Sequence, residues 1–106
     1  MKKKAIDALI EMGMPAGNRG FAYIVDAMCF MHDDNYYLNG KLIALYEKIA
    51  QKNNSSWVNV ERAIRHSFKV MLERGDLGKV NKYLTFQRPT NGNLLRTLYF
   101  RLAQEE

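Results

Sequence analysis

A chain of 106 residues, 47% of them apolar, carries enough hydrophobic surface for one core and little more, which implies a single domain over residues 1–106. Lysine and arginine number 16 against 11 aspartates and glutamates, an excess that favours a polyanionic partner such as nucleic acid. The single cysteine, Cys29, excludes an internal disulfide and points to a reducing, cytoplasmic setting, and no segment reaches the roughly eighteen uncharged apolar residues of a membrane span.

In chain order, Lys2, Lys3 and Lys4 read as a solvated N-terminal run. They do not open a secretory signal, because Asp7 and Glu11 interrupt the apolar residues behind them. Ala5, Ile6, Leu9, Ile10 and Met12 recur at helical spacing and predict a first helix that stops at Gly13 and Pro15. A turn-rich loop follows. The next helix is predicted from Phe21 to about Met31, with Phe21, Ile24, Val25, Met28 and Cys29 on its buried face and Cys29 as a packing residue. Asp33, Asp34, Asn35 and Gly40 then loosen the chain. A third helical region, as one helix or two shorter ones, spans about Lys41 to Lys52.

Ser56 is a good N-cap for a long helix from Trp57 to Arg74, with Gly75 at the expected left-handed position beyond its end. A shorter helix through Leu77, Val80, Tyr83 and Leu84 follows. After a loop from Arg88 to Gly92, Asn91 is a candidate cap for a last helix through Leu94, Leu95, Leu98, Tyr99 and Leu102. Nothing reads as a strand. The expected fold is all-α, with five to seven short helices packed in one layer around another.

At about 100° per residue, Trp57, Val60, Ile64, Ser67, Phe68 and Met71 share one side of the long helix, with Ala63 at its flank. The opposite side carries Asn59, Arg62, Arg65, His66 and Lys69, with Glu73 a turn further on. Arginine and asparagine make bidentate contacts with guanine and adenine edges, and lysine and histidine reach phosphates; such a face is also compatible with plain solvation. A short helix from Tyr46 to about Lys52 and a polar turn precede it, which is helix-turn-helix spacing. Ala50 would be the small residue at the crossing, with Val60 and Ala63 facing the first helix of the pair. The turn lacks the glycine often found there, so an αα-hairpin without a DNA role stays open.

The run Val60-Glu61-Arg62-Ala63-Ile64-Arg65-His66 resembles the recognition-helix motif of the C-terminal effector domains of the stage-zero sporulation protein A family. Gly13-Met14-Pro15-Ala16, Gly20-Phe21, Leu45-Tyr46, Ile49-Ala50-Gln51-Lys52, Arg74-Gly75-Asp76 and Pro89-Thr90-Asn91 extend the likeness in the same order. The resemblance implies an all-α fold, a compact bundle of about six helices containing a helix-turn-helix, and sequence-specific binding of double-stranded promoter DNA, as a homodimer or as tandem copies. It implies no enzymatic activity, cofactor or metal. Carried over by position, Glu61 and Arg62 would read bases, Arg65 and His66 would lie at the DNA surface, and Arg19 would hold a phosphate or simply be solvated. Asn59 and Lys69 complete the candidate DNA-binding set.

Four departures accompany the likeness. The family's usual receiver domain does not precede the effector region, so the expectation is either a piece of a longer protein or a stand-alone regulator without an aspartyl phosphorylation switch. The connection between Tyr83 and Pro89 is shorter, and Val58 and Asn59 replace more polar or basic residues. Finally, Asn53 stands where a large apolar residue is expected and Trp57 where a small one is. An exchange of volume is expected, with Trp57 buried against the end of the preceding helix near Asn53; the alternative is an exposed indole near the DNA.

Two other classes of function are weighed. His32 with Asp33 and Asp34 could be imagined as a catalytic or metal cluster, but the spacing fits a surface turn. A protein-interaction module or antagonist could keep the effector fold without binding DNA. Retention of Glu61, Arg62, Arg65 and His66 together speaks against it.

Overall fold

The most apolar stretch of the chain becomes the central helix. In the computed structural model, which describes residues 1–84 and 89–104, that helix is Arg19–Asp33, and it is flanked by Lys2–Glu11, Asn35–Asn39, Leu42–Asn53, Trp57–Arg74, Leu77–Tyr83 and Asn91–Gln104. In chain order these are α1 (Lys2–Glu11), α2 (Arg19–Asp33), α3 (Asn35–Asn39), α4 (Leu42–Asn53), α5 (Trp57–Arg74), α6 (Leu77–Tyr83) and α7 (Asn91–Gln104). All secondary structure among the described residues is helical, as the periodicity predicts.

Burial of α2 extends beyond one face, taking in Gly20, Phe21, Tyr23, Ile24, Val25, Asp26, Ala27, Met28 and Met31, because α1, α3, α4, α5 and α7 all pack against it. Cys29, expected inside, is only half-buried. At the crossing of α2 and α5 the backbones approach closely: a Cβ on Gly20 would collide with Ser67 Oγ and the Ala63 carbonyl. The buried side chains of all the helices join in one cluster, with Leu9, Ile24, Met28, Leu45, Ile49, Ile64, Phe68 and Met71 almost wholly enclosed.

Several boundaries differ from those predicted. Lys2, Lys3 and Lys4 belong to α1: Lys3 pairs with Asp7 one turn on, at 2.9 Å, and Lys4 reaches the Leu102 carbonyl of α7. The end of α1 is a Schellman turn, with Gly13 at φ +90, Gly13 N–H donating to Ile10 O and Met14 N–H to Leu9 O. The segment expected to be loose contains α3, nucleated by the Asp34 carboxylate, which accepts from Tyr36 N–H. Arg96 of α7 fixes it by donating to the carbonyls of Leu38 and Gly40. The third helical region is one helix, α4.

The long helix runs from Trp57 to Arg74 as expected, with Ser56 Oγ accepting from Asn59 N–H. Gly75, however, is extended rather than left-handed, with φ −75 and ψ 179. Its lack of a side chain serves close approach instead, since a Cβ would strike the carbonyls of Met12 and Met71. The cap of α7 is Thr90, whose Oγ1 accepts from Asn93 N–H, and not Asn91. Most of the connection between Tyr83 and Pro89 lies outside the described residues. No helix among those described is long and apolar enough to cross a membrane.

Candidate nucleic-acid interface

The inner side of α5 buries Val60, Ile64, Ser67, Phe68 and Met71. Helical geometry then turns Asn59, Arg62, Arg65, His66 and Lys69 outward, and all five are exposed. Glu61 occupies the flank, half-buried, and accepts an ion pair from Arg65 one turn later at 3.4 Å. Exposed pairs of this kind contribute little, about 0.3–0.5 kcal/mol, so Arg65 is readily available to another anion.

The connection before α5 is built with care for its backbone. Asn54 ends α4 in the left-handed conformation, with φ 53 and ψ 49, and Ser55 N–H donates to Ala50 O at 2.9 Å. Asparagine is the residue after glycine that best tolerates this geometry, and it supplies the sharp turn for which the sequence offers no glycine. Ala50 and Val60 are buried where α4 and α5 pack together. The Ala63 carbonyl lies against Gly20 where α2 crosses α5.

Two polar anchors hold this pair of helices, and neither was expected from the sequence. Asp26 of α2, only 8% exposed, accepts from Lys52 Nζ and from Asn53 Nδ2 at the last turn of α4. The same Asn53 amide also donates to Ile49 O at 2.8 Å. The hydrogen bond to Asp26 holds the Lys52 ammonium above its ordinary pKa. On the other side Asn91 Nδ2 donates to Tyr46 OH of α4 at 3.2 Å and to the Glu61 carbonyl of α5 at 3.1 Å. A lone acid inside an apolar stretch is the sequence signal that could have revealed Asp26.

This anchoring overturns the expected exchange of volume. Asn53 is exposed, its amide committed to Asp26 and the Ile49 carbonyl, and Trp57, first residue of α5, stands 41% exposed instead of packing against it. The indole lies outside the core because it precedes the first buried residue of the helix, Val60, by almost a turn. Arg19, at the start of α2, shares an open groove with Ala22, Tyr23, Asn53, Asn54 and Ser55. The structure thus brings Arg19 to the turn that leads into α5.

His32, Asp33 and Asp34 form no cluster. His32 Nδ1 lies 3.3 Å from Tyr99 OH, and Asp34 is spent on capping α3. Among the described residues no group of three or more histidine, cysteine, aspartate or glutamate side chains is placed to hold a metal ion.

The family model described as sporulation initiation factor Spo0A C terminal matches residues 5–102, which takes in α2 to α6 whole and most of α1 and α7. A match over nearly the whole chain, on a fold that presents the quoted recognition motif along one exposed helix, carries the assignment: the chain belongs to the Spo0A C-terminal family of sporulation DNA-binding transcription-factor domains.

Proposed function

We propose that residues 1–106 form one effector domain that binds double-stranded promoter DNA sequence-specifically, with α4, the Asn54 turn and α5 acting as a helix-turn-helix. In this reading α5 enters the major groove. Arg62 offers a fork to guanine O6 and N7, Glu61 accepts from a cytosine amino group, and Asn59 suits an adenine edge. Arg65 and His66 lie at the DNA surface, and Lys69 and Arg19 hold phosphates on either side of the groove. Binding as a homodimer or as tandem copies on the promoter belongs to the same proposal.

The observation that carries it is the common exposure of Asn59, Arg62, Arg65, His66 and Lys69 on one face of a single capped helix whose inner face is locked in the core. Selection of duplexes from a random pool by this chain, followed by affinity measurements at several salt concentrations, tests it. A single enriched motif and a steep fall of affinity with salt are expected, at a log–log slope of about −0.9 per phosphate neutralised. A chain that served as an antagonist by binding protein would enrich nothing and show little slope.

A further inference from the structure

On an α-helix, residues four apart form rows: Val58, Arg62 and His66 run along the outward side of α5, and the next row starts at Trp57, on the core side but exposed at the open end of the helix, and turns outward through Glu61, Arg65 and Lys69. Each row opens with an apolar residue and continues with charged or polar ones. Trp57 is 41% exposed and Val58 half-buried, while the neighbouring Ser56 hydroxyl is committed to Asn59 N–H. The leading end of the helix therefore presents carbon where the next turn presents charge. In the major groove the apolar feature of the base edges is the C5 methyl group of thymine.

We propose that Trp57 and Val58 form an apolar tip on α5 that reads thymine methyl groups, beside the base pairs contacted by Glu61 and Arg62. This rests on the assignment of α5 as the recognition helix and adds a base class to its site. The exposure of Trp57 is then a binding feature: the indole covers a methyl that water would otherwise surround. Arg19 and the Asn53–Ser55 turn flank the same end of the helix and keep the approaching strand close.

The test uses the full chain and the duplex it enriches from a random pool, with each thymine replaced in turn by deoxyuridine, which removes the methyl alone. One or two of these replacements should weaken binding about four-fold each, the equivalent of ~0.8 kcal/mol for one buried methyl group. Trp57→Ala should bind the thymine and deoxyuridine duplexes equally at that position. Trp57 is the sole tryptophan, so its emission should also change when the enriched duplex is added. If the unaltered chain bound every deoxyuridine duplex as tightly as its parent, the proposal would be overturned, and this arm needs no variant. Trp57→Ala weakening all sequences alike, with the methyl dependence intact, would overturn it too and place the indole on the sugar–phosphate chain. Failure to enrich any sequence would instead overturn the helix assignment itself.

Discussion

The carboxylate of Asp26 and the amide of Asn53 meet at 2.9 Å, so that an acid on the central helix holds the last turn of α4 just before the chain reverses. Asn53 and Lys52 both point their donors at this one group, whose residue is 8% exposed. Asp26→Ala leaves the Asn53 amide short of an acceptor and should cost about 1–3 kcal/mol. Asp26→Asn keeps one acceptor oxygen for Asn53 and gives up the one used by Lys52, a largely exposed lysine that can turn to water, so it should cost under about 1 kcal/mol. Urea midpoints at unchanged m-value compare the two. Equal losses would show that the ion pair, and not the hydrogen bond to Asn53, is what holds the turn.

Asn54 carries the left-handed backbone of that turn and is exposed, so substitutions there act on the backbone alone. Asn54→Val should destabilise by about 1–2 kcal/mol, because a β-branched side chain clashes with its own carbonyl in this conformation. Asn54→Gly should change stability by less than about 1 kcal/mol, since relief in the folded state is offset by greater freedom in the unfolded chain. If valine were tolerated as well as glycine in thermal unfolding, the turn would not require this geometry.

How far these features could be read from the sequence depended on whether neighbours in the chain decide them. The long helix was legible to the residue because Ser56 and Arg74-Gly75 are local signals and the apolar period of Val60, Ile64, Phe68 and Met71 is unbroken. The outward placement of Asn59, Arg62, Arg65, His66 and Lys69 followed from the same period. The exposure of Trp57 was not legible, because the expected exchange of volume turns on Asn53, whose amide bonds to Asp26 of a helix distant in the chain. Asn91 has the residue type of a cap, but Thr90 caps and Asn91 bridges α4 and α5, a role that only the packing of α7 creates.

Ser67 is fully buried and its Oγ has no hydrogen-bond partner among the described residues. It sits at the α2–α5 crossing, against Gly20, where a hydroxyl is kept from water without compensation. Ser67→Ala should therefore leave stability unchanged or raise it by up to about 1 kcal/mol, helped by the higher helix propensity of alanine. Chemical denaturation measures this directly, and a loss of more than about 1 kcal/mol would mean that the hydroxyl holds a structural contact.

Glu11 links α1 to α6. Its carboxylate accepts from Tyr83 OH at 2.8 Å and lies near Lys79 and Lys82, at 3.8 and 3.5 Å. The hydrogen bond from Tyr83, aided by the lysines, holds the Glu11 carboxyl below its ordinary pKa. A folded-state value that is depressed gives stability present above the unfolded pKa and lost as pH falls through the folded one. Glu11→Gln should thus be less stable than the parent at neutral pH, and the gap should close in acid below the ordinary carboxylate range. A gap that persisted unchanged at low pH would mean that the ionised carboxylate is not its source.

Arg62 and Lys69 are both exposed on the outward side of α5, but they stand two turns apart along it, and that separation predicts different losses on DNA. A recognition helix meets base edges with its first turns and then leaves the groove floor. Arg62 falls in the second turn, one turn beyond Val58, whereas Lys69 falls near the end that approaches Glu73. Arg62→Ala should cost about 1–3 kcal/mol on the preferred duplex and flatten discrimination at one guanine, because a two-pronged contact disappears. Lys69→Ala should weaken preferred and scrambled duplexes by similar factors and make the salt dependence shallower by roughly one phosphate. Neither side chain supports the core, so both variants should keep the parent's unfolding midpoint, which separates binding loss from folding loss. If Arg62→Ala weakened every sequence equally, base reading would have to be reassigned to another part of the helix; if Lys69→Ala altered base preference, the helix would lie deeper in the groove than its geometry implies.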